Sequence, residues 1–293
     1  MPPGTTLSAL EKYSFSDQAA RRVQAVVQGS QISYVQSFGH LWEEIGEGKT
    51  GIVPFESSVD GVVWPNLDKL REGGRRIVAE IDEPIAMCVG GRDGVTLESA
   101  TMACSYEKGI GQSQKWLSEH PRLQANAKFN STVDAARFVA EHEEVLAVAL
   151  ASRLALEHHG LTVLDTNINK MPSGKSPVTR MFLVQPNGHD QLPNPELSQH
   201  AAVTQFENYD GSLHDALGII RQAAGLSSIQ SRPIGHQNGD MQYQFFLKMA
   251  KRNPSDPDST KRFRNMVTAL EALVGKENIL WLGSWDRTFD VQS

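Results

Sequence analysis

Apolar positions along the chain alternate between two spacings. "SFSDQAARRVQAVV" carries Ala19, Val23 and Val26 at helical intervals, with Ser16 as the candidate cap. "GIVPFESS" reads as a short apolar strand ending in polar residues, and "PNLDKLREGG" as a helix stopped by glycines. "RIVAEIDEPIAMCVGG" predicts one or two strands. "ATMACSYEKGIGQSQKWLSEH" predicts a strand, then Ser105, then one helix. "STVDAARFVAEH" starts a helix on Ser131 and Thr132, and "VLAVALASRLALEHHG" runs from strand into helix and closes on Gly160. "LTVLDTNI" and "VTRMFLV" complete the region as strands. Strands alternating with helices predict an α/β architecture with a largely parallel sheet.

The pattern then breaks. Residues 185–199, "QPNGHDQLPNPELSQ", have linker composition, rich in Pro, Asn, Gln and Gly. Strand "AAVTQFEN", helix "SLHDALGIIRQA", strands "LSSIQSRP" and "MQYQFFLKMA", helix "TKRFRNMVTALEALVG" and strand "NILWLGSW" follow. That order, βαββαβ within about 90 residues, is the ferredoxin-like pattern.

Composition adds exclusions. The chain has 293 residues, 40% hydrophobic and 21% charged, with a formal net charge of -6. No long basic run is present, which argues against a nucleic-acid surface. No apolar run approaches the roughly 20 residues of a membrane span. "MPPGTTLSALEKYSF" lacks a secretory or organellar leader pattern, so a cytoplasmic location without membrane contact is expected. Cys88 and Cys104 both sit in apolar runs and read as reduced core thiols. Two cysteines make no zinc site alone, and no metal is expected.

Chemistry concentrates at "SPVTRMFLV". Met181 to Val184 read as buried, yet Thr179 and Arg180 precede them directly. A guanidinium at such a place pairs with a carboxylate, either inside the protein or from a ligand. Ser105 ends an apolar strand where a helix starts, as a cap or as part of an anion site. Gln112 lies two turns on, along the same face.

Taken in order, these segments resemble prephenate dehydratases that carry a carboxy-terminal ACT regulatory domain. Thr179-Arg180-Met181-Phe182 resembles the family's Thr-Arg-Phe, with the phenylalanine displaced by Met181. "GIVPFESSVDGVV" is similar to its Val-Pro-Ile-Glu-Asn-Ser segment, "CSYEKGIGQSQKWL" to its Ser-His-Pro-Gln segment, and "NSTVDAARFV" to its Ser-Thr-x-x-Ala-Ala segment. "GSLHDAL", "IQSRP" and "LGSW" resemble the ACT marks Gly-Ala-Leu, Glu-Ser-Arg-Pro and Leu-Gly-Ser-Tyr. The resemblance covers nearly the whole chain, and its strength lies in the preserved order of weak motifs.

The resemblance implies a bilobal catalytic domain, similar to type II periplasmic binding proteins, over residues 1–186. One lobe combines 1–84 with 167–186, and the other spans 85–166. A linker at 187–199 leads to a ferredoxin-like ACT domain at 200–293. The implied reaction converts prephenate to phenylpyruvate in phenylalanine biosynthesis, with no cofactor. Thr179 would donate to the departing hydroxyl and Arg180 would fork onto a substrate carboxylate. Ser105, Gln112, Ser57, Ser14, Ser131 and Thr132 would line the substrate. Phenylalanine is the implied effector, held by Gly211, Ser212 and Leu213 together with Gln230, Ser231, Arg232 and Pro233, in a homodimer or homotetramer.

Three departures stand out. Ser57 replaces the family's asparagine. Gln230 replaces the glutamate of Glu-Ser-Arg-Pro. "LEKYSFS" replaces Gly-Pro-x-Gly-Thr-Phe/Tyr-Ser, placing Tyr13 where a glycine permits positive φ. Alternatives are an arogenate dehydratase and a catalytically impaired, amino-acid-sensing relative. A prephenate decarboxylase fits less well, because the Thr-Arg pair is kept.

Overall fold

Two sheets divide the strands. The computed structural model describes residues 1, 4–186, 192–205, 212–237 and 240–286. The chain opens with β1 (Thr6–Leu10), α1 (Phe15–Val26), β2 (Gln31–Val35), α2 (Phe38–Gly46), β3 (Thr50–Ser57), β4 (Gly61–Val62), α3 (Trp64–Arg71) and β5 (Arg75–Pro84). It then leaves this sheet to build a second one. That lobe contains β6 (Met87–Gly91), β7 (Met102–Cys104), α4 (Glu107–Gln112), α5 (Gln114–Glu119), β8 (Gln124–Asn126), α6 (Thr132–Glu141), β9 (Ala147–Ser152), α7 (Arg153–His158) and β10 (Thr162–Thr166). The chain returns as β11 (Val178–Pro186). After residue 191 come β12 (Gln199–Gln205), α8 (Ser212–Ile220), β13 (Ala224–Gln237), β14 (Asp240–Lys251), α9 (Ser259–Val274) and β15 (Ile279–Trp285).

The second sheet has the order β10-β6-β9-β7-β8, and the larger sheet β13-β14-β12-β15-β5-β11-β3-β1-β2 with β4 on β3. Neither is largely parallel, which corrects the sequence expectation. β1 pairs parallel with β2 and β3, whereas β11 runs antiparallel to β3 and β5. The cause is the crossing between lobes: β11 re-enters from the other lobe, not through a βαβ helix. Asn169 fastens the two crossing segments together. Its side chain accepts from Met87 N at 3.0 Å and donates to Ile85 O at 2.7 Å.

Alternation along β11 sorts its side chains between two cores. Met181 and Leu183 pack with Ala19, Ala20 and Val23 of α1. Phe182 and Val184 pack with Leu41, Trp42 and Ile45 of α2, and also with Phe246 and Trp285 from the C-terminal unit. The two units therefore share one core. Their sheets meet at a single parallel pair, Gly283 with Ile77. A Cβ at Gly283, where φ is 146°, would lie 2.2 Å from Ile77 O, so "LGSW" needs glycine there.

The same motif buries a histidine. His200 Nδ1 meets Ser284 Oγ at 2.8 Å, and its ring stacks on Phe263 at 3.9 Å. Burial, with Lys251 adding to it, pulls its pKa from 6.5 to about 4, while the Leu197 backbone and Asp286 act the other way. The unfolded chain thus takes up this proton first as pH falls. Stability is fully present above pH 6.5 and is lost toward pH 4, by up to about 3 kcal/mol from this group. Urea midpoints measured across that window should fall less steeply for His200→Asn than for the wild type.

Cys88 and Cys104 are buried and free, and burial pushes the Cys104 thiol up to about 12. Among the described residues no helix is long and apolar enough to cross a membrane.

Candidate active site

The seam between the lobes gathers several of the polar residues. Thr179 stands second in β11, opposite Ser57 of β3 and Glu83 of β5. Alternation places it on the α1 side, with Met181 and Leu183. Its hydroxyl has no protein hydrogen-bond partner among the described residues and is free to serve a ligand. Glu83, on the same face, is tied by Arg22 Nη1 at 2.7 Å, and burial raises its pKa despite that partner.

Ser57 ends β3 in a tight turn. Its Oγ accepts from Val59 N at 3.2 Å and Asp60 N at 3.3 Å, which aims Asp60 at the other lobe. There Gln112, the last residue of α4, donates from Nε2 to Asp60 Oδ2 at 2.7 Å. Tyr106 joins them, its phenol pushed up to about 12 by burial and by the charge of Asp60. Thr179, Ser57, Asp60, Gln112 and Tyr106 thus form one polar seam with groups from both lobes.

Arg180 does not belong to it. As Thr179's neighbour in a strand it points to the opposite face. Its Nε and Nη2 fork onto Asp82 Oδ1 and Oδ2, both at 2.8 Å. That internal carboxylate answers the question its position raised and holds its pKa up. Thr179 and Arg180, expected to reach one guest, thus lie on opposite faces of β11.

Ser105 is fully buried and donates to Leu150 O at 2.8 Å; it caps no helix. A Cβ at Gly109 would fall 2.3 Å from that Oγ, so the hydroxyl is locked between β9 and α4. Ser105→Ala should strand the Leu150 carbonyl and lower stability by about 1–3 kcal/mol, read from denaturant midpoints, with little change in KM.

A second seam joins the lobes at the rebuilt segment. Ser14, not Ser16, caps α1, accepting from Asp17 N at 3.3 Å, because Ser16 already lies inside the helix and accepts from Leu10 N. Tyr13 keeps the positive φ of a glycine, at 70°, and stacks on His158 with ring centroids 3.6 Å apart. Ser152 Oγ donates to Tyr13 O at 3.0 Å. Ser131 caps α6 and also hydrogen-bonds Glu11, whose carboxyl is raised by burial. Thr132 is buried as the first residue of that helix.

In the C-terminal unit Gln230 and Arg232 face β3 and α3 of their own chain. Gln230 Nε2 donates to Glu56 Oε1 at 3.2 Å. Arg232 pairs with Asp68 at 2.7 Å and lies over the Trp64 ring at 5.0 Å. Ser231 and Pro233 alternate with them along β13 and so take the other face, while Ser212 and Leu213 open α8. Gly211 lies outside the described residues.

Sequence reasoning passed over Asp60, Tyr106, Glu83 and Arg22. Only the run of polar residues after "GIVPF" pointed toward Asp60.

These features define a class, a two-lobed α/β protein whose lobes meet beside a hydroxyl that is unpartnered among the described residues. Comparison with known proteins narrows it. The prephenate dehydratase family profile matches residues 11–188, and the chain belongs to that family. The prephenate dehydratase of Mycolicibacterium gilvum (strain PYR-GCK) is 30% identical over 246 residues, spanning 82% of this chain and 74% of its own. Among solved structures, a prephenate dehydratase from Arthrobacter aurescens in complex with L-Phe superposes with a TM-score of 0.78 at 24% identity, over 97% of this chain and 90% of that one. GqqA, described as a novel type of quorum quenching acylase, superposes with a TM-score of 0.77 at 22% identity, over 96% and 97%. At these identities the two structures speak for the fold and not for the reaction.

Proposed function

We propose that this chain converts prephenate to phenylpyruvate. The observation that carries the reading is the free hydroxyl of Thr179 at the seam, inside the matched region. Prephenate takes up one proton and yields phenylpyruvate, carbon dioxide and water. The bond to the ring carboxylate breaks, its electron pair enters the ring, and the ring C–O bond breaks as aromaticity forms. Thr179 donates a hydrogen bond to the leaving oxygen, one that strengthens as charge develops there. The guanidinium on that face is that of Arg22, while Gln112 and Ser57 supply hydrogen bonds to the guest. Ser105, Ser14, Ser131 and Thr132 act by shaping the walls. The lobes, similar in plan to type II periplasmic binding proteins, close over the substrate and exclude water.

Residues 200–293 act as an ACT domain that senses phenylalanine, the ligand described for the Arthrobacter relative. Its edge strand β13 exposes Ile229 and Ile234, where a second copy would dock to give a homodimer or homotetramer. The test is to supply the purified protein with prephenate and arogenate separately. Phenylpyruvate formed from prephenate alone is the expected result. Phenylalanine formed from arogenate, with prephenate untouched, overturns the assignment.

A further inference from the structure

The face of β11 that carries Arg180 holds more carboxylates than one guanidinium can satisfy. Arg180 grips Asp82, yet its Nε also lies 4.0 Å from Glu80 Oε2, two residues along β5 on the same face. Glu56 stands opposite Arg180 on β3. Glu56 is engaged by Gln230. Glu80 is engaged by Lys248 of β14, whose Nζ reaches Glu80 Oε2 at 2.5 Å in ionic contact, not as an aligned hydrogen bond. Both members of that pair are buried, Lys248 at 3% exposure and Glu80 at 8%.

Two of the five charged or polar groups around Arg180, Gln230 and Lys248, therefore come from the C-terminal unit. A lysine so deeply buried is retained only with its counter-charge. Without it, the nearest cation to Glu80 is Arg180. The guanidinium then has two carboxylates to choose between. Arg180 sits at the bulge where the β11–β3 register shifts, directly before Met181. Its fork on Asp82 staples β11 to β5 at the point where the β11–β3 ladder is interrupted, and Thr179 is the residue just before it.

We propose that Lys248 is a positioning residue: by neutralising Glu80 it keeps Arg180 on Asp82 and so fixes the backbone that presents Thr179. The C-terminal unit reaches the reaction through this contact within one chain. Lys248 shares its sheet face with Gln230 and Arg232, so a ligand that shifts β13 and β14 moves the cation. The kinetic arm of the test rests on the dehydratase reading.

Lys248→Met and Glu80→Gln break the same ion pair from opposite ends. Lys248→Met frees Glu80 to draw Arg180 away, so kcat should fall by about tenfold to a hundredfold, with KM within about twofold of wild type. Glu80→Gln removes the competing carboxylate but leaves Lys248 without its counter-charge, so stability should fall while kcat of the folded protein stays within about twofold. The double variant, with no unpaired charge, should recover to within about threefold. The Nε–H resonance of Arg180 should move in Lys248→Met and return in the double variant. Equal losses from the two single variants, or an Arg180 resonance indifferent to Lys248→Met, overturn the proposal. Where Lys248→Met does not fold, the double variant decides, and a loss of kcat beyond about tenfold in it is the contrary result. A wild type inactive on prephenate would remove the functional reading, while the resonance would still test the coupling.

Discussion

Thr179→Val lowers kcat by about 10²- to 10³-fold and leaves KM and the melting temperature close to wild type. Valine keeps the branched shape that Thr179 presents at the seam and removes only the hydroxyl. That hydroxyl bonds to no described protein group, so its loss strands no buried partner and costs little stability. Its whole worth lies in the transition state, where the leaving oxygen gains charge. A group that acts only there lowers kcat and kcat/KM together. Thr179→Ser, which restores a donor with a freer rotamer, should keep activity within about tenfold of wild type. Steady-state rates of phenylpyruvate formation measure both.

Phe246→Ala has the second large effect, on stability. The ring is 2% exposed and belongs to the C-terminal unit, yet its centroid lies 4.6 Å from Phe55 of the catalytic sheet and 6.4 Å from Phe182. Trp285 adds a second contact from the same unit, 5.8 Å from Phe182. Removing a buried phenylalanine costs about 3–5 kcal/mol. That is a large part of the total stability of an ordinary protein, about 5–15 kcal/mol. Because the core is shared, the loss should lower one cooperative transition and not split off a separate one. Calorimetry would show a single peak at reduced temperature. Two peaks, with only one displaced, would mean that the units fold independently.

The order of elements was legible where periodicity and punctuation agree. The βαββαβ succession after the linker, the strand at Met181 to Val184 and the helix begun by Ser131 all follow from local signals. Other elements passed unread. "QISYV" and "FGHLWEEIG" became β2 and α2, although Leu41, Trp42 and Ile45 have helical spacing. The segment read as one helix after Ser105 is two, α4 and α5, because the chain turns at Ser113. The site was half legible. Thr179 stands opposite Ser57, and Gln112 reaches Asp60 in the turn that follows Ser57. Opposite orientation of Thr179 and Arg180 follows from the strand period alone and was there to be read. That Asp82 satisfies Arg180 is not a local property, since 98 residues separate them and only the β5–β11 register brings them together. Nor does any local rule place Lys248 against Glu80 or let Tyr13 hold a φ of 70°. Each depends on a neighbour supplied by tertiary packing.

The most direct test is to see where the substrate lies. Thr179→Val should turn over slowly enough to trap prephenate in a crystal. The ligand should occupy the seam between β3, β11 and α4, its ring hydroxyl within about 4 Å of the side chain at position 179. Prephenate bound elsewhere, or a seam closed by Gln112 and Asp60 with no room for a ring, would contradict the account.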